Sequence, residues 1–230
     1  MAEGIHIKGW GFKWIVKERL PEFNARIGVT SSDDLQNIMG EVLKKPDKSY
    51  NIGKCKDVSK KISGICVIVR TYNGSIQTII GIPDAIPNAY QEVEFRALIP
   101  VLGEEEVIHE GVIFVKNENQ GCSCFLPFFP RYYGKIKPMT KIKLALEIIP
   151  YDVKIEKKGI FSKVRNVGCY SIKGETRPYI NEIVGKIIKK TGKTYLIEAG
   201  FRFYCEINKD INLIENQIIC IKGPIFGYIK

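Results

Sequence analysis

Cys122 and Cys124 stand one residue apart at the head of "CSCFLPFFPRYYGKIKP" (residues 122–138), a spacing that could offer two thiolates to a metal ion. Zinc sites usually take four ligands in two spaced pairs. No second pair and no nearby histidine accompanies this one, so both cysteines read as neighbours on one face of a strand and no metal is expected. The two histidines, His6 and His109, lack HExxH spacing, and no nucleophile-elbow motif accompanies them. Neither GxxxxGK[ST] nor GxGxxG occurs, so no glycine loop cradles a nucleotide and no cofactor is expected. Asp152 with Glu156, Lys157 and Lys158 echoes the ExK arrangement of metal-dependent nucleases, in which paired carboxylates hold Mg²⁺. Asp152 and Glu156 are too close in sequence for the two-strand geometry of such sites, and a solvated charged stretch explains them better. A nuclease is a distant third reading, and the chain is expected not to be an enzyme.

The aromatic run offers different chemistry. An alternating strand cannot bury Phe125, Phe128, Phe129, Tyr132 and Tyr133 together, and Pro127 and Pro130 deny it ladder hydrogen bonds. The segment is therefore expected to be an irregular loop. Tyr132 and Tyr133 could stack on unpaired bases, and Arg131, Lys135 and Lys137 could meet phosphates. The competing reading places the phenylalanines against a barrel end or an interface, with tyrosine hydroxyls at the rim.

Charge points the same way. Of a net +10, residues 153–230 hold 15 Lys/Arg against 7 Asp/Glu, which implies an anionic partner for the last third. A lysine-rich composition suited to heat is the alternative. No apolar run approaches the roughly 20 residues of a membrane span, and the opening "MAEGIHIKGWGFKWIVKERL" does not read as a signal peptide. A cytoplasmic protein with free cysteines and no membrane partner is expected.

These residues need elements to hold them. "SSDDLQNIMGEVLKKPD" predicts a helix near 32–45: Ser31 or Ser32 caps it, and Asp33 and Asp34 lie in its first turn. Leu35, Ile38, Met39, Val42 and Leu43 share one face, and Pro46 stops the helix. Beyond residue 60 the chain reads as strands and turns, with Asn73-Gly74 the clearest hairpin signal. The expected fold class is mainly β (β-rich α+β): a mixed β domain over 1–152 with one N-terminal helix, a charged connection over 153–167, and a small barrel over 168–230.

Five short strands account for that last part: "EIVGKIIK", "KTYLIEA", "FRFYCEI", "QIICIKG" and "IFGYIK", with Ile183, Ile187, Leu196, Ile219 and Ile225 or their neighbours facing inward. Strand number and corner glycines resemble the small barrels of the OB-fold and SH3-like kind. In OB-folds the face of strands two and three commonly binds oligonucleotides. Carried onto this chain, the resemblance implies contacts from Lys193, Tyr195, Arg202 and Tyr204, with Lys186, Lys189 and Lys190 beside them. The competing reading makes the two tyrosines cross-strand packers. The expectation is a protein that binds single-stranded or structured RNA or DNA. The alternative is an assembly subunit of a larger protein complex, anchored by its aromatic loop.

Overall fold

The computed structural model describes residues 11–52, 54–83, 89–102, 108–118, 120–126, 135–156, 163–172, 175–207 and 211–230. The protein is mainly β, and it divides into two compact units, Met1–Ala85 and Ile86–Lys230. The boundary does not fall in the expected connection at 153–167. Strands at Asp152–Ile155 and Lys163–Ile172 belong to the sheet of the second unit. Among the described residues no helix is long and apolar enough to cross a membrane.

The first unit sets helices α1 (Gly11–Ile27) and α2 (Ser32–Lys44) against an antiparallel meander of β1 (Lys48–Ile52), β2 (Cys55–Ile62), β3 (Ile65–Tyr72) and β4 (Ser75–Pro83). Helix α2 forms as its sequence predicts. Ser31 caps it, accepting a 3.1 Å hydrogen bond from the Asp34 amide. Leu35, Met39 and Val42 are buried with Val58, Val67 and Val69 from the sheet. The β3–β4 turn places Asn73 and Gly74 at φ 47° and 81°, the left-handed pair that matches strand twist.

Helix α1 was not foreseen. Pro21 lies within it, and its buried residues are mixed: Ile15 and Phe23, but also Arg19, Glu22 and Arg26. Glu22 accepts from Arg19 Nη1 at 3.3 Å and from Arg26 Nε at 3.2 Å. A helix whose inner side carries an ion triad leaves no apolar stripe to read. In the sheet, Arg70 donates through Nε and Nη2 to the two Asp57 oxygens, at 2.7 and 2.8 Å, both residues being fully buried.

The second unit is one long, folded-over sheet. Its strands are β5 (Tyr90–Leu102), β6 (Ile108–Lys116), β7 (Gly121–Leu126), β8 (Lys141–Ile148), β9 (Asp152–Ile155), β10 (Lys163–Ile172), β11 (Glu175–Thr191), β12 (Thr194–Glu198), β13 (Arg202–Glu206), β14 (Ile218–Gly223) and β15 (Ile225–Ile229). β5, β6 and β7 form an antiparallel meander. β7 pairs parallel with β15, β15 antiparallel with β8, and β8 antiparallel with β5. The ring is closed, five-stranded and compatible with an OB-like barrel.

That ring corrects the expected one. All five strands predicted for the last part exist, but they do not close on themselves. Only β15 enters the closed barrel, whose other four strands lie between residues 90 and 148. β9 to β14 form an insertion between the fourth and fifth ring strands. Residues 144–155 run antiparallel to 218–229, and the link between the two halves is itself hydrogen-bonded: the Ile149 amide donates to Pro224 O at 3.1 Å and the Tyr151 amide to Lys222 O at 2.9 Å. β14 passes to β11, β12 and β13, and β13 returns to β8, so a second circuit of strands ends on the same ribbon.

A single apolar cluster fills the unit, running from Phe95, Ile113 and Leu146 in the ring to Ile187, Ile197 and Phe203 in the insertion. Ile183, Ile187, Ile219 and Ile225 face inward as expected, but Tyr195 and Ile197 occupy the inward positions of β12 and Leu196 does not. Strand side chains alternate, so a one-residue error reverses a whole face.

Candidate nucleic-acid interface

The outer face of β5, β6 and β7 places polar and aromatic side chains side by side. In β6, Ile113 and Val115 point into the barrel, so Phe114 and Lys116 point out. Ser123 pairs with Phe114 from β7. β5 contributes Arg96 at a register shift between Phe95 and Ala97. Such a bulge adds a residue and re-aims a side chain. Arg96 is ion-paired with Glu94, Nε lying 2.6 Å from Oε1, and its Nη1 donates to Met139 Sδ at 2.9 Å.

These residues line a groove of about 340 Å³, with Val164 of β10 and Asn181 of β11 as its far wall. Phe114 leaves 37% of its surface exposed there. The wall is fixed by the turn between β6 and β7: Gln120 accepts from the Val164 amide at 3.2 Å and donates to Ala199 O at 2.8 Å, while Asn117 donates to Gly200 O. Gly200 takes a φ of 79°, which favours glycine, and the Gln120 amide lies where a Cβ would stand, so a side chain there would displace it from Ala199 O. The arrangement offers a flat ring, two cations and a hydroxyl within one open groove.

The residues singled out from sequence fare unevenly. Arg131, Tyr132 and Tyr133 lie outside the described residues, as do Phe128 and Phe129. Lys135 and Lys137 are exposed on the segment before β8, and Phe125 is half-buried with its ring centroid 5.8 Å from that of Phe226. In the insertion, Lys186, Lys189, Lys193 and Arg202 are exposed. Lys190 is occupied: Nζ donates to Leu213 O at 2.7 Å and sits 5.8 Å from the Tyr195 ring centroid. Tyr195 and Tyr204 are 4% and 5% exposed and lie across from Cys205 and Leu196 respectively, so neither ring presents an open face. Glu198 faces Lys186 on one side and Arg202 on the other, which interrupts the cationic row with an acid.

Cys122 and Cys124 share the inner face of β7, inside the barrel. Burial pushes the Cys122 thiol up to about 12 and the Cys124 thiol well above its ordinary value. Neutral thiols among apolar side chains behave as small hydrophobes. Of the nuclease-like residues, Asp152 pairs with Lys154 at 3.3 Å and Glu156 is exposed, while Lys157 and Lys158 lie outside the described residues. His109 lies in β6.

Sequence reasoning missed Phe114, Arg96, Lys116 and Ser123. The signal was present in "GVIFVK", where strict alternation leaves a phenylalanine and a lysine on the face opposite Ile113 and Val115. It becomes meaningful only once β6 and β7 are known to be the second and third strands of a closed ring. Comparison with protein-family models, curated proteins and solved structures gives no significant match.

Proposed function

We propose that the protein binds single-stranded nucleic acid, RNA or DNA, across the outer face of β5, β6 and β7. The observation that carries this reading is the half-open Phe114 ring on the second strand of a ring with OB-like connectivity, with Arg96 and Lys116 lining the same groove. On such barrels the face of strands two and three is a common oligonucleotide site. A base stacks on Phe114, and the two cations meet flanking phosphates. The exposed Lys186, Lys189, Lys193 and Arg202, together with Lys135 and Lys137, add attraction for the phosphate backbone.

The test is fluorescence anisotropy of labelled short oligonucleotides over a salt series. Phe114→Ala should weaken binding by roughly 1–3 kcal/mol per lost stack. No affinity at low salt for either RNA or DNA ends the reading. A second reading has an observation of its own: Ile99, 53% exposed, shares the outer face with Phe114, so two large apolar side chains are open on one side, and a protein partner could cover both. Under that reading Ile99→Ser with Phe114→Ala changes the size of the purified assembly and leaves oligonucleotide binding absent throughout.

A further inference from the structure

A second groove of about 450 Å³ adjoins the first, and Arg96 and Lys116 line both. Its other walls differ in chemistry. Glu92, Glu94 and Glu118 contribute three carboxylates, against Lys141 on the far side. Glu94 is engaged with Arg96, and Glu92 lies 2.7 Å from Lys141. Glu118 is exposed at the β6–β7 turn, beside Asn117, whose side chain is committed to Gly200 O and to the Gln120 amide. The turn is therefore braced on both sides of Glu118, whose carboxylate lines the groove.

A nucleic-acid strand meets these two grooves unequally. A phosphate is attracted to the divide at Arg96 and Lys116, but like charge keeps it from the carboxylates beyond. A base is not excluded. Carboxylates accept hydrogen bonds from exocyclic amino groups such as cytosine N4, whereas thymine and uracil present an acceptor, O4, at that position and have only the ring N3–H to donate. Resting on the functional reading above, we propose that this second groove is a base-selecting position: it takes a nucleotide next to the one stacked on Phe114 and prefers bases carrying an exocyclic amino group over thymine and uracil. Glu118 is the specificity-determining residue, and Arg96 and Lys116 set the register by holding the phosphate between the two bases.

The experiment compares oligo-dC and oligo-dT of equal length by anisotropy with the full-length protein, alongside Glu118→Gln and Lys116→Met. Wild type should bind oligo-dC about five- to tenfold more tightly than oligo-dT. Glu118→Gln, whose amide both donates and accepts, should bring that ratio close to unity. Lys116→Met should weaken both ligands by the same factor and leave the ratio in place. Equal affinity for the two oligomers in wild type, or a ratio that survives Glu118→Gln, overturns the base-selecting position while binding through Phe114 still stands. Absence of binding to either oligomer at low salt overturns the functional reading, and this one with it.

Discussion

Arg70 and Asp57 face each other across β2 and β3 with every oxygen of the carboxylate engaged and no access to water. Removing one partner strands a buried charge, so Asp57→Ala should cost about 3–5 kcal/mol in urea unfolding, whereas an apolar pair replacing both residues should cost far less. The thiols of the barrel give a pH test. Burial holds Cys122 protonated up to about 12, from an ordinary value of 9.0. Below that ordinary value both folded and unfolded chains carry the proton. Above it the unfolded chain loses the proton first, so stability falls as pH rises from 9.0 towards about 12. The unfolding midpoint, followed over that range, should fall less steeply in Cys122→Ala. At this scale Cys122 and Cys124 were legible, since alternate residues of one strand must share a face. Tyr195 was not, because nothing in "KTYLIEA" says which of two alternating sets turns inward.

Elements with local signals were readable in proportion to the strength of those signals. Helix α2 carries its cap, its acidic first turn and its stop within its own sequence, and its limits match the expected ones closely. Ser31→Ala should cost about 1 kcal/mol by removing the cap acceptor, measurable by thermal unfolding. Helix α1 carries a proline and a buried ion triad, so its stability comes from packing that no local pattern records. The strands between residues 182 and 229 were all foreseen, as were the pairings across the turns at Thr191-Gly192 and Ala199-Gly200, but not the remaining partners, because those pairings join distant segments. Gly223 marks where this matters most. A Cβ there would come within 1.8 Å of Ile149 O, where the ribbon passes from the ring to the insertion. Backbone cannot step aside cheaply, so Gly223→Ala should lower the stability of the second unit by about 3 kcal/mol or more, read as a shift in its unfolding midpoint.

Over the whole molecule, charge and aromatic surface have separate origins. Residues 86–152, which supply four of the five ring strands, carry 7 Lys/Arg and 9 Asp/Glu, whereas residues 153–230 carry the basic excess. Most of the electrostatic attraction should therefore come from the insertion, with Arg96 and Lys116 as the ring's own phosphate contacts, and stacking from the ring. Replacing Lys186, Lys189 and Lys193 together by Gln should reduce the slope of log affinity against log salt by about 2. Phe114→Ala should leave that slope in place while lowering affinity at every salt concentration. The sequence reading divided both functions between residues 168–230 and the aromatic run at 125–137, because it could see the lysines and the rings but not the closed circuit of strands. The barrel's connectivity has a consequence for its birth. β7 and β8 are made early, but the strand that seals them, β15, is made after the whole insertion. A nascent chain emerges in order, so the half-built ring must wait with two unsatisfied strand edges while more than seventy residues are added between Ile148 and Ile225. Ribosome-stalled chains ending before residue 225 should be cut by protease within 90–148, and chains extended past residue 229 should resist.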